Sequence, residues 1–580
     1  IIDKLDTSYR NDEEVKIVGG LSASYDILDN LKLSYRGGID YQNEVFLNAQ
    51  DPISRNQLRF NPNVDGQATQ FTTRELSINS TTSLNWNEEF GKHSIATGAF
   101  VEYFKAHFRQ FGFTANGLDP RTFAPGDGSG FLPDTPDNDD RVDTVSAQKL
   151  DAGLFSYFGT FDYDFDSRFG LFASIRRDAS YRFATTNRWG TFGAVSARWN
   201  ISNESFMEDV SYVYSLKLRA SYGTSGNQRI TGNSYWSGAD LPFSFYALNQ
   251  GYGNQSAITA SQIGNSTLKW ETVEQTNIGT DFILFDSRLR GSLDYYYKKT
   301  IDLFQSTPIS IVNGQSSISA NTGSMTNEGF DIQMNYDLVK KEDLLLTLNF
   351  VGNYNKITLQ DLPSENGEII GIGRNGGKLG EIYTLRYAGV NPANGEALFL
   401  DIDGNLTEEP NPDTDRVWLD KNLRPDAQGS FGFNLDYKSF FLQTQFNWEI
   451  GRDQFDNDYS RFMNPNTVGD YRQSNDMFRA WTPDNRITDV PSFTSTNQRA
   501  FGSDRFLVPM DFIRLRFAQI GYNFSQDLTD RLSLSRLRLF VNAENLFTLS
   551  EFRGFDAASR NNGLEYPTPR TISIGLEIGI

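Results

Sequence analysis

The sequence contains no cysteine and only two histidines, His93 and His107. Without cysteine the chain can form no disulfide bridge and no zinc–thiolate site, and it offers no cysteine nucleophile. Histidine is the usual general base and metal ligand near neutral pH, so the sequence offers few residues from which a catalytic centre could be built. The hydrolase motif G-x-S-x-G and the metalloprotease motif H-E-x-x-H are also absent. We therefore predict a protein that is not an enzyme, with no catalytic residues, no resident metal and no cofactor.

Long hydrophobic runs are missing as well. No apolar run approaches the ~18 residues that a membrane-spanning helix needs, and the mean hydropathy is −0.48. A helical membrane protein is therefore excluded. The net charge of −20 argues against a nucleic-acid partner.

Aromatic residues, in contrast, are abundant, with 46 Phe and 26 Tyr among 580 residues. In a transmembrane β-barrel only every second strand residue must be apolar, and aromatic residues concentrate in girdles at the two membrane interfaces. The composition is typical of such a barrel.

The last ten residues show the strand pattern of a barrel most clearly. Residues 571–580 read T-I-S-I-G-L-E-I-G-I, so every second residue is apolar and the others are polar or small. A period of two predicts a β-strand with one apolar face. Barrel strands of about 9–11 such residues turn the apolar face to lipid and the polar face to a wet lumen.

The same pattern recurs along the chain and predicts about eighteen strands. They lie near residues 15–28, 31–41, 71–88, 92–112, 150–166, 168–184, 189–202, 212–224, 268–285, 287–304, 321–338, 343–357, 380–400, 428–438, 439–452, 511–525, 535–548 and 570–580. Short turns alternate with long polar connections, as in outer-membrane barrels. The sequence therefore predicts an all-β fold, one large antiparallel transmembrane β-barrel over residues 1–580. Its long extracellular loops are expected at about 113–149, 225–267 and 452–509.

Three short motifs suggest ligand chemistry. Residues 371–376 (G-I-G-R-N-G) match the dinucleotide fingerprint, but the segment after them predicts a strand where a helix is required. Residues 401–405 (D-I-D-G-N) resemble part of a calcium loop, although that loop requires its glycine one position later and a distal glutamate. The acidic residues 134–140 could also attract a divalent cation. The simpler interpretations are a glycine-rich turn, an Asp-Gly turn and a solvated acidic loop.

Substrate-binding residues are not identified by any motif, but one polar segment offers weak candidates. Aromatic residues between 235 and 252 could stack on sugar rings or on peptide side chains, or could pack against one another within the segment. The candidates are Tyr235, Trp236, Phe245 and Tyr246.

Several separate blocks resemble one known family, the SusC-like TonB-dependent transporters of Bacteroidota outer membranes. The blocks lie between about residues 170 and 580 and include R-W-G-T-F at 188–192, R-W-N-I-S at 198–202, L-K-L-R-A-S-Y-G-T-S-G-N-Q at 216–228, L-K-W-E-T at 268–272, N-T-G at 321–323, N-E-G-F-D at 327–331, N-L-F at 545–547 and Y-P-T-P-R-T at 566–571. They are signatures of strands and turns. The signature residues that we take as structural are Trp189, Gly190, Phe192, Trp199, Gly226, Asn227, Gln228, Trp270, Glu271, Asn321, Gly323, Asn327, Gly329, Asn545, Leu546, Phe547, Pro569 and Arg570.

The resemblance implies a 22-stranded barrel with an N-terminal plug, a segment that engages the TonB complex, and a SusD-like lipoprotein that caps the outer face. Membrane lipid and lipopolysaccharide would surround the barrel in the outer membrane. No plug and no TonB-binding segment is present in this sequence. We therefore expect the chain to be the C-terminal portion of a longer protein.

Two functions from different classes follow. The first is TonB-dependent import of an oligosaccharide or a peptide, together with the lipoprotein. The second is a structural role, as a barrel subunit of a larger outer-membrane assembly for secretion or outer-membrane protein insertion, with little or no transport. A passive pore and a soluble all-β protein are further alternatives.

Overall fold

The computed structural model describes residues 7–60, 62–133, 141–231, 236–238, 240–469, 472–497, 502–559 and 566–580. The first strands in chain order are β1 (Ser8–Leu28), β2 (Leu31–Gln50), β3 (Gln67–Phe90), β4 (His93–Asn116), β5 (Thr144–Phe165), β6 (Phe169–Ser180), β7 (Trp189–Asn200), β8 (Val213–Asn227), β9 (Phe245–Gln250), β10 (Ser256–Gln262), β11 (Glu271–Leu284), β12 (Leu289–Ile301), β13 (Phe304–Pro308), β14 (Ser317–Asn321), β15 (Ser324–Lys341) and β16 (Leu344–Asp361). They are followed by β17 (Glu368–Ile369), β18 (Gly373–Arg374), β19 (Glu381–Thr384), β20 (Arg386–Val390), β21 (Ala397–Leu400), β22 (Leu406–Thr407), β23 (Val417–Asn422), β24 (Ala427–Tyr437), β25 (Phe440–Ile450), β26 (Asp453–Phe455), β27 (Leu507–Pro509), β28 (Phe512–Asn523), β29 (Arg536–Ser550) and β30 (Thr571–Gly579).

The long strands form one 17-stranded antiparallel sheet, made of β1–β8, β11, β12, β15, β16, β24, β25 and β28–β30. Each pairs with the next long strand along the chain, which gives an up-and-down meander. Within the described residues β1 pairs only with β2, and β30 only with β29. The all-β prediction and the large antiparallel sheet are confirmed.

Side chains alternate between the two faces of this sheet. On β4, Val101 and Tyr103 point outward and stay exposed, in register with Tyr157 and Phe155 of β5. The inward neighbour Glu102 accepts a hydrogen bond of 2.6 Å from a lumenal arginine, Arg176 on β6. The outer face is therefore apolar and suited to lipid, whereas the inner face is polar.

The lumenal face is crossed by further ion pairs between neighbouring strands. Arg198 of β7 reaches Asp162 and Asp164 of β5 at 3.2 and 2.8 Å. Arg219 of β8 lies 2.8 Å from Asp281 and 3.0 Å from Asp294, so one guanidinium links β8, β11 and β12. These contacts tie the polar side of the wall together.

Connections alternate in length, so the sheet has a short-turn end and a long-loop end. At the short-turn end β1 and β2 are joined by residues 29–30, and β3 and β4 by 91–92. At the long-loop end the largest connections span residues 117–143, 228–270, 362–426 and 451–511. Smaller ones span 51–66, 302–323 and 551–570.

The predicted barrel strand at 380–400 is wrong. These residues lie inside the 362–426 connection, where β20 pairs with β21 and β19 pairs with β23. Leu385, Ala397 and Phe399 are buried against one another there. Short strands buried on one face have the same period of two as a membrane strand, so the pattern alone did not separate them.

Helices are short and lie in the connections. Those that the described residues show in full are the α-helices α1 (Arg55–Phe60), α2 (Asn457–Phe462) and α3 (Gln526–Arg531). The 3₁₀ turns are Pro62–Val64, Ile201–Asn203, Ser205–Met207, Tyr252–Asn254, Ile311–Asn313, Pro465–Thr467, Asn475–Arg479 and Asp504–Phe506. In the part of the chain that is described, none of the helices has the length and apolar character to cross a bilayer.

Candidate substrate-binding end of the barrel

Signature residues from distant blocks meet in one buried cluster at the long-loop end. Phe192 of β7 and Trp270, which precedes β11, pack with Phe183 and Leu268. The indole Nε1 of Trp270 donates a 3.0 Å hydrogen bond to the carbonyl oxygen of Arg188. The cluster therefore fixes the ends of β7 and β11 to the connections above them.

Two glycines of the signature make room for the Phe192 ring. A Cβ at Gly226 would lie 2.1 Å from Cζ of Phe192, and a Cβ at Gly190 would lie 2.6 Å from it. Real Cβ contacts are never this short, so any larger residue would push the ring out of the cluster. The two positions need glycine because of this close approach.

Polar signature residues bond to backbone around the same cluster. Asn321 donates to the carbonyl oxygens of Lys269 and Asp302 at 2.8 and 2.9 Å, and its Oδ1 accepts from the Lys269 N–H. Glu271 accepts from Asn227 at 3.3 Å and from the N–H of Phe304 at 3.4 Å. The Gln228 Oε1 accepts from Ser180, and Gly323 adopts a φ of +91° at the end of the 302–323 connection. These hydrogen bonds hold loop ends in place.

Other signature residues lie elsewhere on the wall. Trp189 points outward beside Phe155 and Tyr157. Trp199 lies on the same face of β7 at the short-turn end, where its Nε1 donates to Glu204 at 2.9 Å. Asn327 and Gly329 face the lumen on β15, and a Cβ at Gly329 would lie 2.0 Å from a backbone oxygen of β16.

The C-terminal block forms a β-bulge. Asn545 has a φ of +53°, and together with Leu546 it interrupts the register between β28 and β29. The Asn545 side chain donates to the carbonyl oxygen of Pro569 at 3.1 Å. Phe547 resumes the outward face opposite Leu515, and Arg570 is exposed. The bulge thus joins the last connection to the wall.

The aromatic candidates divide into two groups. Tyr235 lies outside the described residues. Trp236 packs on the lumenal Phe108 of β4, with ring centroids 5.5 Å apart, and its side chain hydrogen-bonds Glu75. Phe245 and Tyr246 lie on the β9–β10 hairpin and are exposed. The three candidates that the structure describes therefore do not form one site.

A second body at the long-loop end is built from the 362–426, 451–511 and 551–570 connections, and we call it the loop body. Asn497 donates to the carbonyl oxygens of Ala397 and Glu408 at 2.8 and 3.0 Å, and it accepts from the Ala397 N–H. Arg553 of the last connection reaches Asp476 at 2.9 Å. Residues that are far apart in sequence thus pack as one unit.

The loop body contains a half-open cavity of about 600 Å³ between the 362–426 and 451–511 connections. Its lining combines tyrosines, asparagines and two arginines. These lining residues include Tyr383, Tyr387, Arg416, Asn457, Asn464 and Arg505, and apolar side chains such as Phe455, Met463 and Phe506 line the cavity as well. No acidic side chain lines it among the described residues. Aromatic rings can stack on sugars or side chains, amides can bond hydroxyl or peptide groups, and guanidinium groups can bind carboxylates.

Arg505 is the best-positioned cation of this cavity. Its guanidinium carbon lies 5.3 Å from the centre of the Tyr387 ring and 4.8 Å from that of Phe506. Burial lowers the pKa of Arg505, but an arginine remains charged at neutral pH. Burial likewise raises the pKa of Asp504, whose carboxylate accepts from the Tyr387 N–H at 2.7 Å. A fixed positive charge between two rings is therefore built into the cavity wall.

The remaining motifs have structural explanations where they are described. Gly371, Gly373 and Gly376 all have positive φ around the β17–β18 hairpin, so the glycine-rich turn is confirmed. Asp401 accepts from the N–H and the side chain of Asn405, which makes the Asp-Gly turn between β21 and β22. The acidic residues 134–140 lie outside the described residues. In the described ranges, no three histidine or acidic side chains converge as a metal site would require.

The two histidines lie on the barrel wall. His93 bonds the hydroxyl of Tyr163 at 2.7 Å, at the short-turn end of β4 and β5. His107 bonds Asp151 on the outer face, towards the long-loop end.

Sequence reasoning missed the loop body and its cavity. The lining residues come from two separate segments, 383–416 and 455–506, and no motif links them. The one usable signal was composition, because residues 452–509 were predicted to be a long polar connection.

Comparison with known proteins gives the family. Residues 3–394 match the family model described as "TonB dependent receptor-like, beta-barrel". TonB-dependent receptor P39 of Formosa agariphila is 30% identical over 499 residues, which is 75% of this chain and 47% of the relative. TonB-dependent receptor SusC of Bacteroides thetaiotaomicron is 26% identical over 542 residues, or 85% of this chain and 51% of SusC.

The fold is also found in solved structures. The structure of the RagAB peptide transporter matches with a TM-score of 0.86 at 22% identity, over 99% of this chain and 63% of that chain. The chain spans about half the length of the curated relatives it matches. It belongs to the TonB-dependent receptor-like β-barrel family of the outer membrane, and its SusC-like character is confirmed by relatives from Bacteroidota.

Proposed function

We propose that this barrel is the transmembrane part of an importer that carries an oligosaccharide or a peptide with an acidic group across the outer membrane. The observation that carries this proposal is the loop-body cavity, with its two arginines, its tyrosines and its asparagines. Such a lining suits a polar ligand with rings or peptide groups and at least one carboxylate. The cargo would pass without chemical change, in keeping with a family of transporters.

Energy and capture would come from partners. We propose that a plug and a TonB-engaging segment, outside this sequence, couple opening to the TonB complex. A SusD-like lipoprotein would cap the long-loop end, where the loop body and the β9–β10 hairpin project. The SusC and RagAB relatives support this arrangement.

Uptake by the complete gene product tests the proposal. Cells that depend on this protein would receive labelled neutral and uronic-acid oligosaccharides, and neutral and acidic peptides. We expect uptake of an acidic member that is lost without TonB. Arg505→Gln combined with Arg416→Gln should reduce that uptake by about tenfold or more, because charge-assisted hydrogen bonds to the ligand are removed.

The matched control is Arg486→Gln. Arg486 lies in the same 451–511 connection as Arg505, but within the described residues it bonds only the Pro483 carbonyl oxygen and does not line the cavity. Uptake of all four probes without TonB would indicate a passive pore. No uptake by the intact protein, together with stable recovery of secretion or barrel-assembly components, would favour the structural subunit instead.

A further inference from the structure

A cluster of cations lies on the outer face of β3–β5, towards the long-loop end. Arg74 of β3 pairs in register with Arg109 of β4, which pairs with Lys149 of β5. Lys105 lies on the same outward face of β4, two residues nearer the short-turn end than His107 and four nearer than Arg109. Four cations on three neighbouring strands stand out in a chain with a net charge of −20.

Most of this charge is unpaired. Asp151 accepts from His107 and, at 3.1 Å, from Arg109. Within the described residues, Arg74, Lys105 and Lys149 have no hydrogen-bond or ion-pair partner. A group of exposed cations that repel one another costs free energy unless an anion binds among them.

The cluster lies just beyond the apolar band of the barrel. Trp189 and Trp199 both point outward from β7 and are ten residues apart. At ~3.3 Å per residue and a strand tilt of ~40° from the membrane normal, they bracket a band of roughly 25 Å. On β4 the outward aromatic residue at the upper edge is Tyr103, beside Phe155. Lys105 follows two residues later, so the cations begin at the level of lipid headgroups.

An apolar groove lies below the cations on the same face. It has a volume of about 660 Å³, and Leu84, Ala99, Val101, Tyr157 and Ile175 are among its lining residues. Ala99 pairs with Gly159, and these two small residues form its floor. Ala99 and Lys105 are six residues apart, or ~20 Å along the strand, which suits an acyl chain in one leaflet of a hydrocarbon core of ~30 Å.

We propose that this surface binds a phosphorylated lipid of the outer leaflet, with an acyl chain in the groove and the phosphate among Arg74, Lys105, Arg109 and Lys149. Arg177, which also lines the groove and lies 5.2 Å from the Trp189 ring, extends the cationic surface at the interface. The charge complementarity, the depth and the adjoining groove favour a lipid over a second protein chain.

Native mass spectrometry of the detergent-purified protein tests the proposal. The probes are monophosphoryl lipid A, its dephosphorylated form, and sodium phosphate. We expect preferential retention of the phosphorylated lipid. Arg74→Gln, Lys105→Gln and Lys149→Gln together should weaken it tenfold to about a hundredfold, because each cation near an anionic surface contributes roughly a factor of five.

A control variant with the same charge change lies at the short-turn end. Lys340→Gln, Lys341→Gln and Arg531→Gln remove three exposed cations there and should leave lipid retention unchanged. Gly159→Leu fills the groove and should weaken both lipids alike. Its new Cβ would lie at an ordinary van der Waals distance of 3.6 Å from the Gly98 carbonyl oxygen.

Three results would overturn the proposal. Equal retention of both lipids by the unaltered protein would exclude phosphate recognition. Full displacement by millimolar sodium phosphate would indicate a simple anion site. A dimer that contains no lipid, and that the triple outer-face variant abolishes, would assign the surface to contacts between copies.

Discussion

The barrel wall and the loop body are both made of β-strands, but they are held together differently. In the wall, each long strand pairs along its length with the next long strand in the chain, as between β4 and β5. In the loop body, Asn497 bonds Ala397 across 100 positions, and Phe399 packs with Leu385. Wall contacts join strands that are adjacent in sequence and repeat along the chain. Loop-body contacts join residues that are far apart in sequence and follow no repeating pattern. We therefore expect the two regions to unfold independently of each other.

The largest expected effect is in the loop body. Phe399 is 1% exposed, and Phe399→Ala should destabilise this unit by about 3–5 kcal/mol because it leaves a cavity in a small core. Limited proteolysis with mass spectrometry should show new cleavage in residues 362–426 and 451–511. The wall should keep its heat-modifiable migration in gels.

Phe478→Ala is the matched control for that experiment. Phe478 lies in the 451–511 connection but is 89% exposed, so its loss should change neither readout. If Phe399→Ala instead unfolded the wall at the same denaturant concentration, the two regions would form one cooperative unit.

A smaller effect is expected for a charge on the lipid side of the wall. Val195 is midway along β7 between Trp189 and Trp199 and points outward, in register with Tyr222. Val195→Arg should cost about 2–4 kcal/mol, because a charged side chain near the bilayer midplane is poorly solvated. The adjacent Ser196 faces the lumen, so Ser196→Arg should cost far less. Urea unfolding in lipid vesicles measures both, and equal losses would contradict the assignment of the two faces.

The strands of the wall could be predicted from sequence, because the alternation of apolar and polar residues that marks each of them is a local pattern. A period of two marked β30 from ten consecutive residues, without knowledge of any partner strand. The same rule failed at residues 380–400, because a strand that buries one face in a loop has the same alternation as one that faces lipid. Only the position of its partners, such as β21 and β23, distinguishes the two cases.

The candidate site could not be predicted for a related reason. Trp270 and Asn321 were recognisable as signature residues, and their side chains donate hydrogen bonds to backbone carbonyl oxygens at loop ends. The cavity depends on Tyr387 and Arg505 meeting across more than a hundred positions. A contact over that many positions depends on the packing of the whole loop body, and no local sequence pattern predicts it.

The smallest expected effect is a loss of stability at low pH, at the junction of the wall and the loop body. Asp556 of the 551–570 connection pairs with Arg514 of β28. Burial alone would raise the pKa of Asp556, but the Arg514 guanidinium, Thr568 and backbone N–H groups outweigh it and lower the pKa to about 2. Because this folded pKa lies below the usual 3.8, the pair contributes stability above about pH 4 and loses it as the pH falls towards 2.

Pepsin cleaves in this acid range and so reports the loss directly. Opening of the 551–570 connection should become easier by about 1–2 kcal/mol between pH 4 and pH 2, which appears as faster cleavage there. The double variant Arg514→Gln, Asp556→Asn removes both charges, so no buried ion is left unpaired. At pH 4 it should be cleaved faster than the unaltered protein. At pH 2 the two proteins should be cleaved at similar rates. A constant ratio across this range would mean that the ion pair does not fasten the loop body to the wall. The junction would then depend on the apolar contact of Met510, Phe512 and Ala557.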